Sequence, residues 1–98
     1  MIQLVLVGCA GRMGRVIAEC VATRNDCCIA AGVDRNSHGD ETFPVYSSCG
    51  EITEAADAVI DFSHPSALRG TLEFACARSI PVVMATTGLD DEIGRAHV

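Results

Sequence analysis

Residues 2–14 read IQLVLVGCAGRMG, an apolar run followed directly by a turn that contains three glycines. The apolar run predicts a β-strand, and a helical pattern begins at Met13. Gly8, Gly11 and Gly14 suit a Rossmann-type dinucleotide turn, which needs a tight exit from the strand, backbone close to a pyrophosphate and a helix packed against the sheet. Amides at the helix start would then face the phosphates. The spacing is GxxGxxG instead of the commoner GxGxxG, so a glycine-rich turn without a ligand is the alternative.

A second strand pattern, at residues 28–33, ends in an acidic residue. Asp34 follows Gly14 by 20 residues, the separation at which the dinucleotide fingerprint carries an acid. A carboxylate there can accept hydrogen bonds from the adenine ribose hydroxyls, which favours NAD. Arg35 could instead pair with a 2′-phosphate and stack on adenine, so NADP is also admissible. The alternative is a solvated Asp-Arg pair in a turn.

The rest of the chain alternates between short apolar strands and helical segments. Strands are predicted at residues 2–7, 29–33, 58–62 and 81–85, with a brief edge strand at 43–46 that contains Pro44. Helices are predicted at residues 13–23, within 48–56, after the turn Ser63-His64-Pro65, and from Asp90 onward. This order predicts an α/β fold: a Rossmann-type parallel sheet with right-handed crossovers and helices on both faces.

Two of these helices carry apolar stripes at helical spacing. We expect the first helix to bury Met13, Val16, Ile17, Cys20 and Val21, and the second to bury Leu68, Leu72, Ala75 and Cys76. Gly70 would weaken the second helix by about 1 kcal/mol relative to alanine, which suggests close packing at that point.

Four distinctive segments fall at the carboxyl ends of the predicted strands. They are the glycine turn, Asp34-Arg35, Phe62-Ser63 and the run Ala85-Thr86-Thr87-Gly88. Because ligands of open α/β sheets bind outside the carboxyl ends of the strands, we expect these segments to form one site.

Charge and hydropathy restrict the partners. The net charge is −6 with no basic cluster, which argues against nucleic acid as the main partner. No apolar run approaches the ~20 residues of a membrane helix, and residues 2–7 are too short for a secretory signal. We therefore expect a cytoplasmic protein without a membrane partner.

The chain contains six cysteines, at positions 9, 20, 27, 28, 49 and 76. No CxxC occurs, and the histidines at 38, 64 and 97 lack zinc-ligand spacing, so we expect reduced thiols and no metal. Cys9 differs from the rest because a thiolate would be favoured near a helix start, where its modification would block a cofactor.

Four motifs together carry a family resemblance. Residues 8–15 (GCAGRMGR), 33–35 (VDR), 61–65 (DFSHP) and 86–88 (TTG) closely resemble the amino-terminal domain of dihydrodipicolinate reductase (4-hydroxy-tetrahydrodipicolinate reductase) over essentially all 98 residues. The resemblance implies NADH or NADPH as cofactor, with the pyrophosphate held by Gly8, Cys9, Ala10, Gly11, Arg12 and Met13. It places the ribose at Asp34, a 2′-phosphate at Arg35, and the nicotinamide side near Phe62, Ser63, Ala85, Thr86 and Thr87. Ala85 departs from the glycine usual in the family.

The resemblance also implies parts that these 98 residues lack. The family places a dicarboxylate substrate in a following substrate and tetramerisation domain, where a histidine pair and a lysine grip it and supply a proton. This chain contains no lysine. We therefore expect residues 1–98 to form an incomplete dinucleotide-binding domain that binds cofactor without catalysing, and His64 to act as a helix N-cap. The full-length family implies a homo-oligomer, a tetramer.

Two other functions are compatible with a nucleotide-binding half. One is another two-domain dehydrogenase, such as an aspartate or homoserine dehydrogenase, against which the DFS-x-P and TTG pair argues. The other is a stand-alone NAD(P)-binding sensor module, against which the unfinished last helical pattern argues.

Overall fold

Five parallel strands form the sheet in the part of the chain that the structure describes. A computed structural model describes residues 1–36, 42–63 and 68–84. The strands are β1 (Ile2–Val7), β2 (Cys27–Val33), β3 (Val45–Tyr46), β4 (Ala58–Asp61) and β5 (Val82–Met84), and the helices are α1 (Arg12–Ala22) and α2 (Leu68–Arg78). The strand order is β3-β2-β1-β4-β5, which confirms the predicted Rossmann-type α/β fold.

The core lies on the face of the sheet that α2 covers. Apolar side chains from three strands meet those of α2 and of the short 3₁₀ turn Cys49–Glu51; they are Val5, Val7, Ala31, Val33, Val59, Cys49, Ile52, Phe74 and Ala75. Burial of each larger side chain contributes about 1.5–3 kcal/mol, so this cluster supplies much of the driving force for folding. None of the helices in the described ranges is long and apolar enough to cross a membrane.

Helix α2 buries a different face from the predicted one. Leu72 is 44% exposed and Cys76 is exposed, so both expectations were wrong, whereas Ala75 is buried together with Phe74. Arg78 explains the rotation of the helix, because its guanidinium lies 4.6 Å from the centre of the Phe74 ring. The same group donates hydrogen bonds of 2.6 Å to the carbonyls of residues 52 and 54. These contacts hold α2 so that Phe74 faces the core cluster.

The expectation of close packing at Gly70 was also wrong. A Cβ built at this position meets no atom of the described residues within 4 Å. Packing of α2 against the described part of the chain therefore does not require a glycine here.

Helix α1 buries only part of the predicted stripe, since Val21 is buried as expected and Ile17 is half-buried. Gly14 and Val21 are buried, whereas Met13 and Val16 are 47% and 46% exposed and Cys20 is exposed as well. The absence of a side chain at Gly14 lets this side of the helix approach the backbone of the preceding turn. The face of α1 that meets the sheet therefore combines close backbone contact at Gly14 with the apolar side chain of Val21.

The remaining boundaries agree with the sequence in outline. β3 pairs with β2 in the order given above and shortens to two residues, and the carbonyl of Pro44 accepts a hydrogen bond from Gly32 at 2.8 Å. The helix predicted within 48–56 reduces to one 3₁₀ turn, where Ser48 and Glu51 form a capping box. The turn through His64 and Pro65 and the helix from Asp90 lie outside the described residues.

Candidate dinucleotide-binding site

The strand order reverses between β1 and β4, and the candidate site lies at their carboxyl ends. From β1 the chain proceeds to β2 and β3 on one side, then crosses to β4 and β5 on the other. Hydrogen bonds join the ends of three strands, because the Gly8 amide donates to Val33 O at 2.7 Å and the Phe62 amide donates to Val7 O at 2.8 Å. Such a reversal leaves a crevice that suits a ligand.

Two of the three glycines in the turn are required by packing. Gly8 has a φ of +87°, and a Cβ there would lie 3.0 Å from Phe62 C and 3.0 Å from Ser63 N. A Cβ on Gly14 would lie 2.2 Å from the carbonyl oxygen of Gly8. Gly11 differs, since it is exposed and its Cβ would make an ordinary 3.4 Å contact with the same oxygen. Gly11 therefore keeps the space in front of the turn open.

The amides of the turn divide into two groups. Ala10 N donates to Asp34 Oδ2 at 2.9 Å, and Gly11 N donates to Gly8 O at 3.2 Å. Helical geometry gives the amides of Arg12 and Met13 no acceptor within α1. Gly11 is the N-cap residue and has no side chain that could accept a hydrogen bond from them. The amides that suit a phosphate are thus those of the first helical turn.

Asp34 lies where β2 ends, and its carboxylate already accepts two hydrogen bonds from backbone amides. Its Oδ1 accepts the amide of Asn36 at 2.8 Å, while its Oδ2 accepts the amide of Ala10. Arg35 is exposed beside it. The separation of 24 residues along the chain between Ala10 and Asp34 explains why sequence patterns did not predict this contact.

A cavity of about 490 Å³ opens at this end of the sheet. Six predicted site residues line it: Gly8, Gly11, Asp34, Arg35, Phe62 and Ser63. The predicted residues Cys9, Ala10, Arg12 and Met13 are not among its lining residues, and Ala85, Thr86 and Thr87 lie outside the described residues. The cavity thus brings the segment after β4 together with the acid after β2.

Further lining residues were missed by sequence reasoning: Val7, Val33, Asn36, Ser47, Ser48, Cys49, Gly70 and Thr71. The pattern Ser48-x-x-Glu51 is a capping-box signature that could have drawn attention to the wall after β3. The hydroxyls of Ser47 and Ser48 lie 2.6 and 3.2 Å from Glu51 Oε1 and hold the pKa of that carboxyl below its ordinary value. These hydrogen bonds tie Ser47 and Ser48, which line the cavity, to a carboxylate that is ionised at neutral pH.

A buried carboxylate organises the segment after β4. Asp61 is fully buried, and its Oδ1 accepts hydrogen bonds from both the amide and the hydroxyl of Ser63. Among the described residues, its Oδ2 has no hydrogen-bond partner.

The thiol of Cys49 is buried beside Thr71. Cys49 Sγ lies 4.0 Å from Thr71 Oγ1, and burial raises the pKa of the Cys49 thiol. Cys49 is consequently a neutral thiol at physiological pH.

Cys9 occupies the inner side of the glycine turn. It is only 1% exposed, and its Sγ would lie 2.7 Å from a Cβ built on Gly32. The side chain packs inward against β2, which disfavours the modification of Cys9 that would block a cofactor. No disulfide joins any of the six cysteines, all of which lie in the described ranges, and two of them are buried.

The sheet order, the glycine turn and the acid after β2 define a Rossmann-type nucleotide-binding domain. The model of the family described as "Dihydrodipicolinate reductase, N-terminus" matches residues 2–96, so the chain belongs to this family. The family predicted from the four motifs is thereby confirmed.

Curated relatives are named 4-hydroxy-tetrahydrodipicolinate reductase. The protein of Caldanaerobacter subterraneus subsp. tengcongensis is 46% identical over 92 residues, which cover 94% of this chain and 36% of that protein. The Clostridium tetani protein is 39% identical over the same shares. The Thiobacillus denitrificans protein is 31% identical over 109 residues, covering 99% of this chain and 40% of its own length. The chain therefore spans little more than a third of the length of these relatives.

Proposed function

We propose that this chain is the nucleotide-binding part of a 4-hydroxy-tetrahydrodipicolinate reductase and binds NADH or NADPH. The observation that carries the proposal is the cavity at the β1–β4 reversal, which joins the glycine turn, Asp34-Arg35 and Phe62-Ser63 in a member of this family. In the complete enzyme the bound nicotinamide would supply hydride to a cyclic imine dicarboxylate, a step of lysine and diaminopimelate biosynthesis.

The cavity and the start of α1 together suit the parts of a dinucleotide. The amides of Arg12 and Met13, at the positive end of the α1 dipole, suit the pyrophosphate, and the open space at Gly11 admits it. Asp34 retains acceptor capacity for ribose hydroxyls, because a carboxylate has about four lone-pair sites and two protein donors occupy only part of them. Arg35, exposed at the rim, would pair with a 2′-phosphate if NADPH is bound.

The nicotinamide end is proposed from the family motifs. Phe62 and Ser63 line the cavity, and the turn after β4 is held by Asp61. Ala85, Thr86 and Thr87 follow β5 in the sequence, and their role toward the nicotinamide remains a prediction. This chain's own contribution is to bind and orient the cofactor.

The proposal assigns cofactor binding and substrate reduction to different parts of the protein. Substrate grip and proton donation would belong to a further domain, in a cytoplasmic homo-oligomer. The 98-residue chain should accordingly bind cofactor and reduce nothing.

Fluorescence titration of the 98-residue chain with NADH and NADPH tests the proposal. We expect saturable binding of at least one of them, together with no turnover when the cyclic imine is supplied. A chain that binds neither nucleotide would refute the proposed function. Turnover by the pure chain would refute the assignment of substrate binding and proton donation to a further domain.

A further inference from the structure

Two consecutive residues at the end of β2 hold the glycine turn. The carbonyl of Val33 accepts the amide of Gly8 at 2.7 Å, and Oδ2 of Asp34 accepts the amide of Ala10 at 2.9 Å. The first contact is between backbone atoms and survives most substitutions. The second depends on the side chain of Asp34.

The acid is itself fixed in place. Asp34 is partly buried, and its Oδ1 accepts the amide of Asn36 at 2.8 Å. With both oxygens engaged, the carboxylate has little freedom to rotate away from Ala10. It forms a bridge from the β2 end to the middle of the turn.

The position of Ala10 affects the residues that follow it. Gly11 is the N-cap of α1, and the carbonyl of Ala10 also accepts a 3.2 Å hydrogen bond from Arg15 Nε. Both backbone polar groups of Ala10 are therefore hydrogen-bonded, and the chain enters the first helical turn from a defined direction. The amides of that turn are the ones that suit a pyrophosphate.

We propose that Asp34 is a positioning residue for the phosphate-binding turn, in addition to any contact that it makes with a ribose. The inference rests on the proposed function, since it concerns the same site. It makes Asp34 important for the affinity of a ligand that contains phosphate but no ribose.

Electrostatics alone predicts the opposite result, which makes the test decisive. A carboxylate near a phosphate site repels the anion, so its removal should strengthen binding of inorganic pyrophosphate if Asp34 only contacts the ribose. If Asp34 positions the turn, its removal should weaken pyrophosphate binding about fivefold, the value of one hydrogen bond.

The experiment titrates inorganic pyrophosphate into the wild-type chain and into Asp34→Ala and Asp34→Asn, followed by NMR chemical shifts. Asp57→Asn is the matched control, because Asp57 also accepts a backbone amide, that of Gln3 at 2.8 Å, but does so at the opposite end of the sheet. We expect weaker pyrophosphate binding in both Asp34 variants and unchanged binding in the control. Asn keeps the side-chain volume but only one acceptor oxygen, so it covers the case in which the alanine variant does not fold.

Hydrogen exchange of the Ala10 amide provides a readout that needs no ligand. Loss of Asp34 should accelerate this exchange about tenfold relative to the Gly8 amide, whose acceptor is unchanged. Unchanged or stronger pyrophosphate binding, or unchanged Ala10 exchange, would overturn the positioning role. So would a wild-type chain that binds NADH but not pyrophosphate. A wild-type chain that binds no nucleotide refutes the proposed function instead.

Discussion

Gly14 in α1 packs directly against the carbonyl of Gly8. A Cβ on Gly14 would lie 2.2 Å from that oxygen and 2.7 Å from Cys9 Cα, distances that no side-chain movement can relieve because both atoms belong to the backbone. The start of α1 and the end of β1 thus form one tightly packed unit. The phosphate-binding amides of the proposed site are carried by this unit.

Substitution Gly14→Ala should destabilise the protein. Helix propensity alone favours alanine by about 1 kcal/mol, but the backbone clash should reverse the sign and give a net loss of about 1–3 kcal/mol. Urea denaturation followed by circular dichroism measures the change. Gly70→Ala is the control, because a Cβ there meets no atom within 4 Å in the described ranges, and it should gain about 0.5–1 kcal/mol. Equal effects of the two variants would contradict the packing argument.

Substitution Gly11→Val should lower dinucleotide affinity while the fold is kept. The branched side chain would occupy the open space between the turn and a pyrophosphate, and we expect at least about a tenfold loss of affinity. NADH titration measures it, with Ala22→Val at the exposed end of the same helix as the control. If Gly11→Val binds as tightly as the control, the turn is not the phosphate site.

Arg35 tests the choice of cofactor. Arg35→Ala should weaken NADPH binding about tenfold or more and leave NADH nearly unchanged, because only NADPH has a 2′-phosphate for the guanidinium to pair with. Parallel titrations with the two nucleotides provide the comparison. Equal losses for both would assign Arg35 to adenine stacking or to structure.

The buried thiol of Cys49 should lower the free energy of unfolding as the pH becomes alkaline. Burial raises its pKa in the folded state above the ordinary 9.0, so the unfolded chain loses this proton first. The stabilising contribution is therefore complete below pH 9.0 and is lost as the pH rises through the folded-state pKa. Urea denaturation under reducing conditions from neutral to alkaline pH should show this decline, and Cys49→Ala should reduce it. An identical pH profile in the variant would contradict the assignment.

Self-association is expected through β5. This strand forms one edge of the described sheet, and Val83 on it is 58% exposed. Exposed apolar edge strands pair with other chains, and lysine on an edge opposes such pairing. Sedimentation should show concentration-dependent association of the 98-residue chain that Val83→Lys reduces. A wild-type monomer over a wide concentration range would contradict this prediction.

Local patterns in the sequence were sufficient for the elements of the fold and for the location of the site. The apolar run of β1, the glycine spacing and the acid after β2 each act within a few residues, and parallel strands bring their carboxyl ends to one edge. The motifs after β1, β2 and β4 therefore predicted which segments meet.

Tertiary structure alone decided which faces of the helices are buried and which groups act together. Phe74 and Arg78 turn α2 so that Leu72 is exposed, and the contact at Gly14 turns α1. Arg78 also donates hydrogen bonds to the carbonyls of residues 52 and 54, which lie 26 and 24 residues away, and the contact at Gly14 depends on backbone atoms; the periodicity of apolar residues describes neither. The hydrogen bond between Ala10 and Asp34 was not predictable either, because it joins positions 24 residues apart. Such a bond, between the glycine turn and the end of β2, depends on where the folded backbone places its donor and acceptor.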